Sequence, residues 1–210
     1  MASVDIETTG LDPNIHQITE IAIVYGDIDK PKDVQRIHLS IWPEDFVWST
    51  FCLNLHKDYL ARVISAQQAM QAKTMDDPVG FTYIREVAAK IRNFLWDCQM
   101  PGKCLTTQPI PKSTPAGKNF GSFDLQFIKN RYPEVASLFR HRGIDPGALY
   151  LHADDKVPPE LALCKDRAIA EGAKLKPGVA HNALADAEDV WDLFHWNSQG
   201  DSETLLPPSA

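Results

Sequence analysis

The sequence predicts a single α/β domain. Strand-like segments come first, longer helical patterns follow, and no repeat or internal linker divides the chain. A length of 210 residues suits one enlarged domain with a real core. A content of 44% hydrophobic and 23% charged residues excludes a disordered, collagenous or repeat-driven chain.

The elements follow in order. Residues 4–6 form a short apolar start, with only four residues ahead of Asp5, so the first strand is expected to be short. Ile18–Tyr25 (ITEIAIVY) is rich in β-branched residues, and 34–41 (VQRIHLSI) alternates apolar with polar. Turn clusters at 10–14 and 27–32 separate the three and suggest a meander. Helices are expected at 55–72, where Leu60, Val63, Ile64 and Met70 approach helical spacing, and at 81–96, where Ile84, Val87, Ala88, Ile91 and Leu95 share a face. Residues 100–118 hold four prolines and read as a loop carrying a short strand at 103–107. A central strand at 116–120 then leads into a helix over 123–131. Residues 142–150 hold the last expected strand, broken by Asp145-Pro146-Gly147, and helices at 159–171 and 183–196 close the chain.

The balance of 21 basic against 28 acidic residues gives a net charge of −7. That argues against a broad, sequence-independent grip on duplex DNA, which relies on many Lys and Arg contacts to phosphate. It leaves room for an enzyme that reserves carboxylates for metal ions. No apolar run approaches the roughly 20 residues that span a bilayer, and the start lacks a basic region followed by a long apolar stretch. The expectation is a soluble, cytoplasmic protein without a membrane partner. Cys52, Cys98, Cys104 and Cys164 are too scattered for a zinc-ribbon spacing and read as free thiols.

Three segments carry chemistry. Asp5 and Glu7 stand at i and i+2 on a strand, so both carboxylates face one side while Ile6 turns inward. Two like charges held together need neutralising, and a divalent cation does so. The adjoining Thr8-Thr9-Gly10-Leu11 loop brings backbone N–H groups and an apolar side chain beside them. Asp124 opens a helix, where capping alone would explain an isolated Asp. His181 precedes a helix and Asp186 lies about one turn into it, an imidazole able to move a proton beside a fixed carboxylate.

Taken together, VDIETTGL (4–11), AGKNFGSFDLQF (116–127) and AHNALADAEDV (180–190) resemble the DEDDh (DnaQ-like) 3′–5′ exonuclease superfamily, with similarity also to oligoribonucleases and phage-type exonucleases in Arg140-His-Arg-Gly-Ile-Asp-Pro146. The match is loose over 40–112, and 101–112 reads as an insertion. The resemblance implies a ribonuclease H-like fold with a central five-stranded mixed sheet flanked by helices. It would occupy 1–197, leaving 198–210 as a flexible tail.

The resemblance assigns Asp5, Glu7, Asp124 and Asp186 to two Mg²⁺ or Mn²⁺ ions, and His181 to the general base. An unperturbed imidazole pKa near 6.5 suits that role. Thr8 and Leu11 are expected to meet the terminal nucleotide, with Thr9, Gly10, Asn119 and Phe123 as further substrate contacts. Phe123 reads equally as a stacking ring or as helix-face core. Trp42, Trp48 and His56 lie in the loosely matched region on the expected substrate side; Trp191 and Trp196 suit helical core or a subunit contact. Lys57, Lys118, Arg140 and Arg142 are candidates for a positive rim. The implied partners are 3′ ends of single-stranded DNA or RNA or short oligonucleotides, with a homodimer as the common assembly. Two other readings stay open: a non-catalytic nucleic-acid-binding or polymerase-associated module, and an internal nuclease of ribonuclease H type.

Overall fold

Strand β1 (Ala2–Thr8) pairs antiparallel with β2 (Ile18–Tyr25), which pairs antiparallel with β3 (Gln35–Ser40). The structure, a computed structural model, describes residues 1–30, 33–45, 47–103 and 109–203, with side chains to residue 199. Helices α1 (Thr50–Leu55), α2 (Lys57–Gln71) and α3 (Ile84–Gln99) follow. The two-residue β4 (Pro115–Ala116) joins β1 in parallel, so the sheet is mixed, in the order β3-β2-β1-β4. Then come α4 (Asp124–Arg131), α5 (Pro133–Ala136), α6 (Pro146–Leu149), α7 (Leu161–Ala170) and α8 (Ala183–Glu203).

The alternation of β1 and β2 divides the molecule. Val4, Ile6, Ile21 and Ile23 point to one face and pack with Val87, Ile91 and Leu95 of α3 and Phe127 and Ile128 of α4. Ala22 and Val24 point to the other, against Ala183, Ala187 and Trp191 of α8. Small alanines on both sides let α8 lie close to the strands. Buried Lys165 of α7 pairs with Asp189 of α8 and donates to the Gly178 carbonyl at 2.6 Å, fastening the closing helices together.

Several expectations are corrected. The described sheet has four strands, not five. Residues 138–144 do run along β4, with Arg140 N–H donating to Ser113 O and Ile144 N–H to Pro115 O, but the bridges at Phe139 and Ile144 stay isolated. Pro146 starts a helix there, and Asp145 caps it by accepting from Gly147 N–H at 2.7 Å, which ends extended pairing. The expected strand over 116–120 shrinks to Pro115–Ala116, because Lys118 and Asn119 turn, with Asn119 at φ +59°. The helix expected over 55–72 is α2, which starts just after His56, and a separate short helix not expected from the sequence, α1, precedes it.

The helix expected from 81 begins at Ile84, because Thr82 is held in extended pairing by Ser40 O and Trp42 N–H. The first strand is longer than expected: it spans Ala2–Thr8 and is paired with β2 throughout. The last helix continues past 198 to Glu203. The short strand expected at 103–107 falls largely outside the described residues, as does the end of the tail from 204. No helix among the described residues is long and apolar enough to cross a membrane.

Candidate active site

The site forms where β1 ends. Asp5 and Glu7 face the side that α8 covers, while Ile6 between them is buried in the opposite core. A bulge between Glu7 and Thr8 then breaks the ladder, which lets the chain turn away directly after the second carboxylate.

Asp186 enters from the first turn of α8. Its Oδ1 accepts from Ala180 N–H at 3.2 Å, and Asn182 caps the helix by accepting from Ala185 N–H at 3.2 Å. His181, between Ala180 and Asn182, is exposed and takes φ +51°, a left-handed conformation that a residue with a Cβ adopts only when its surroundings enforce it. Asp124 opens α4, is buried, and accepts from Ile6 N–H at 3.2 Å, so its position is tied to the backbone between Asp5 and Glu7.

These segments converge. Asp5, Glu7, Asp124, His181 and Asp186 line one cleft of about 470 Å³ with Lys118, Asn119, Ser122 and Phe123. Carboxylate oxygens of Asp5, Glu7 and Asp186 lie within 4.8 Å of one another. Asp124 stands beside this trio, on the same cleft wall.

The electrostatics fit a cation. Burial, then the charges of Asp124, Glu7 and Asp186, hold the Asp5 carboxyl well above its usual range. Burial, then Asp186, Glu20 and Asp124, push Glu7 up to about 8. Burial takes Asp124 to about 7 against the Ile6 N–H bond, and it also raises Asp186. Among the described residues no Lys or Arg pairs with any of the four. Lys118 instead lies 3.8 Å from Asp145 and 3.9 Å from Glu160. His56 Nε2 stands 3.4 Å from Glu7 Oε2, but burial lowers its pKa and favours the neutral ring. Three clustered carboxylates with a fourth beside them, none paired with a Lys or Arg, suit a hard divalent ion.

Among the expected substrate contacts, Asn119 and Phe123 line the cleft, while Leu11 is 71% exposed and is not part of the cleft lining. Phe123 also packs on Phe127, with ring centroids 5.0 Å apart, so it belongs to core and cleft together. Thr8 and Thr9 are buried and their hydroxyls are used internally, Thr8 donating to Gly10 O at 2.7 Å and Thr9 accepting from Gln17 N–H at 3.0 Å. A Cβ at Gly10 would stand 2.3 Å from the half-buried His16 ring, which would have to move to admit it.

Trp42 and Trp48 pack against Phe81 and Tyr59, Trp191 is core, and Trp196 packs half-buried on α7 residues. Arg140 and Arg142 lie away from the carboxylates, in a separate basic cleft with Lys112 and Lys129. Lys57 lines a third cleft of about 580 Å³, which adjoins the carboxylates through His181.

Sequence reasoning missed Glu20. It sits directly across the ladder from Glu7, buried, with Arg62, His38, Ser40 and Asn182 around it. Its signal was legible: a Glu inside an otherwise apolar strand must find partners. His56, expected on the substrate side, is turned onto Glu7 by the break between α1 and α2.

No protein-family model and no curated protein matches this sequence. Solved structures do. An Escherichia coli exonuclease I complex with a 5cy-dT13 oligonucleotide aligns at TM-score 0.60 and 14% identity, over 96% of this chain and 40% of that one. The zinc-bound exonuclease I complex with single-stranded DNA aligns at 0.61 and 14%, over 96% and 41%. A complex with dA16 aligns at 0.59 and 15%, over 94% and 40%. The likeness is one of fold, shared with part of exonuclease I, and the chain spans about 40% of the length of exonuclease I.

Proposed function

We propose that this chain is a metal-dependent 3′–5′ exonuclease that hydrolyses the terminal phosphodiester of single-stranded nucleic acid and releases nucleoside 5′-monophosphates. The observation that carries it is the convergence of Asp5, Glu7, Asp124, Asp186 and His181 on one cleft from three distant segments of the chain. The fold shared with exonuclease I, whose solved complexes hold 5cy-dT13 and dA16, supports a single-stranded substrate.

Asp5, Glu7, Asp124 and Asp186 would hold two Mg²⁺ or Mn²⁺ ions, which supply Lewis acidity for the attacking water and the leaving 3′-oxygen. The chain's own residues do the rest. His181, exposed at the cleft mouth, accepts the proton of the water whose oxygen attacks phosphorus. The bond from phosphorus to the 3′-oxygen of the penultimate nucleotide breaks, and that oxygen takes a proton from solvent to become the new 3′-hydroxyl. Exposed Leu11 offers an apolar contact to the terminal base, and Asn119 and Phe123 border the scissile group.

The test is a time course with 5′-labelled ribo- and deoxyribo-oligomers in Mg²⁺, Mn²⁺ or chelator. A ladder shortening from the 3′ end, abolished by chelator and by Asp5→Ala, is expected. Intact oligomers under every metal condition would overturn the reading, and cleavage of a circular single strand would replace it with an internal nuclease.

A further inference from the structure

Glu20 is a buried carboxylate outside the five-residue set, and all of its oxygen contacts are with separate elements. Its Oε1 accepts from Arg62 Nη2 at 2.8 Å and from Ser40 Oγ at 3.2 Å. Its Oε2 lies 3.2 Å from His38 Nε2 and accepts from Asn182 Nδ2 at 3.3 Å. Three of these partners make a rigid seat. Ser40 and His38 are on β3, and Ser40 stands opposite Glu20 in the ladder. Arg62 also donates to Ser40 at 3.1 Å, and its guanidinium lies over the Tyr59 and Phe81 rings at 5.8 and 5.4 Å. Burial works to raise the Glu20 pKa, but the His38 contact and then Arg62 and Ser40 together lower it from the usual value.

The fourth partner belongs to the active site. Asn182 caps α8 with its carbonyl oxygen while its amide nitrogen reaches Glu20. It directly follows His181, whose left-handed backbone persists only if both sides are held. On the other side, Ala180 N–H is held by Asp186.

We propose that Glu20 is a positioning residue for His181: the seat made by Arg62, His38 and Ser40 fixes its carboxylate, which anchors Asn182 and clamps the left-handed turn from its C-terminal side while Asp186 clamps it through Ala180. The imidazole is thereby held over the carboxylate cleft without touching Glu20. This rests on the reading of His181 as the base.

The experiment is a double-mutant cycle with Asn182→Ser and Glu20→Gln. Serine still caps a helix but has no amide donor for Glu20, so α8 stays capped while the clamp opens. Each single variant is expected to lower kcat by about tenfold to a hundredfold, the range a displacement of about 1 Å produces. KM for a 3′-hydroxyl oligonucleotide and Mn²⁺ affinity should stay within about twofold, since a general loosening would worsen both. The double variant should be no slower than the worse single one.

A readout independent of turnover is the His181 ring resonance in ¹³C-histidine-labelled protein, assigned with His181→Gln. It should shift in both single variants and shift no further in the double. Unchanged kcat in Asn182→Ser, additive losses, or an unmoved ring resonance overturns the proposal. A wild-type chain without turnover whose ring resonance follows this pattern refutes the exonuclease and leaves the clamp intact.

Discussion

Glu7 and Glu20 stand directly opposite one another in the β1–β2 ladder, both on the face toward α8. Like charges at such a pair oppose folding. Arg62 reaches only Glu20, so one carboxylate is neutralised and the other is left for the cleft.

Arg62 therefore bears on stability more than its half-exposed position suggests. Arg62→Ala should destabilise the protein by about 1–3 kcal/mol, the cost of leaving a buried acceptor short of a partner, read by urea unfolding at pH 7. Because Glu20 has a lowered pKa in the folded chain, this contribution is present above its unfolded value and fades as pH falls through the folded one. An equal loss at pH 3 and pH 7 would refute the assignment.

Metal removal reverses the usual pH trend. Glu7 and Asp124 rise to about 8 and 7, so in chelator the folded chain retains protons that the unfolded chain has released. Stability is highest below the unfolded carboxylate pKa and is lost as pH rises through the folded values. Thermal unfolding in EDTA should show Tm falling between pH 5 and 8. Saturating Mn²⁺ should raise Tm most at pH 8. A Tm independent of Mn²⁺ at pH 8 would argue against a metal site.

Asp5→Asn separates activity from stability. It removes a carboxyl that burial and its acidic neighbours hold well above the usual range, so the metal-free variant should gain about 0.5–2 kcal/mol at pH 8 while exonuclease activity disappears. Denaturant melts and a labelled-oligomer assay on the same preparation check both halves.

His181→Ala should reduce kcat by about 10²–10⁴, the range for losing a general base, with Mn²⁺ affinity retained because the four carboxylates remain. Isothermal titration with Mn²⁺ alongside turnover tests this, and loss of metal binding would place His181 among the ligands instead.

Gly117 marks where β4 presses on β1. A Cβ there would lie 2.6 Å from the Val4 carbonyl oxygen, a backbone atom that cannot swing aside. Gly117→Ala should cost about 1–3 kcal/mol, as overpacking does, and should slow turnover by displacing the strand that carries Asp5. An unchanged Tm would show that β4 can yield.

Much of this molecule was legible before any coordinate. Asp5 and Glu7 share a face because strands alternate every residue, and Asp186 lies one turn into α8 because helices repeat; both follow from local backbone geometry. The meander of β1 to β3 was likewise readable from β-branched runs and turn residues. The fifth strand failed because its pairing depends on where Pro146 and the Asp145 cap halt an extended chain beside β4. Helix α1 was also hidden, since its six residues are too few to show a helical apolar period.

Which residues carry charge, and which face of each element they occupy, follows from the order of a few neighbouring residues. Tertiary structure alone decided that Asp124 is tied to Ile6 N–H, that His56 meets Glu7, and that Glu20 reaches Asn182. Those contacts join residues 118, 49 and 162 positions apart. Their distances are set by how β1, α4 and α8 pack around the sheet rather than by any local spacing.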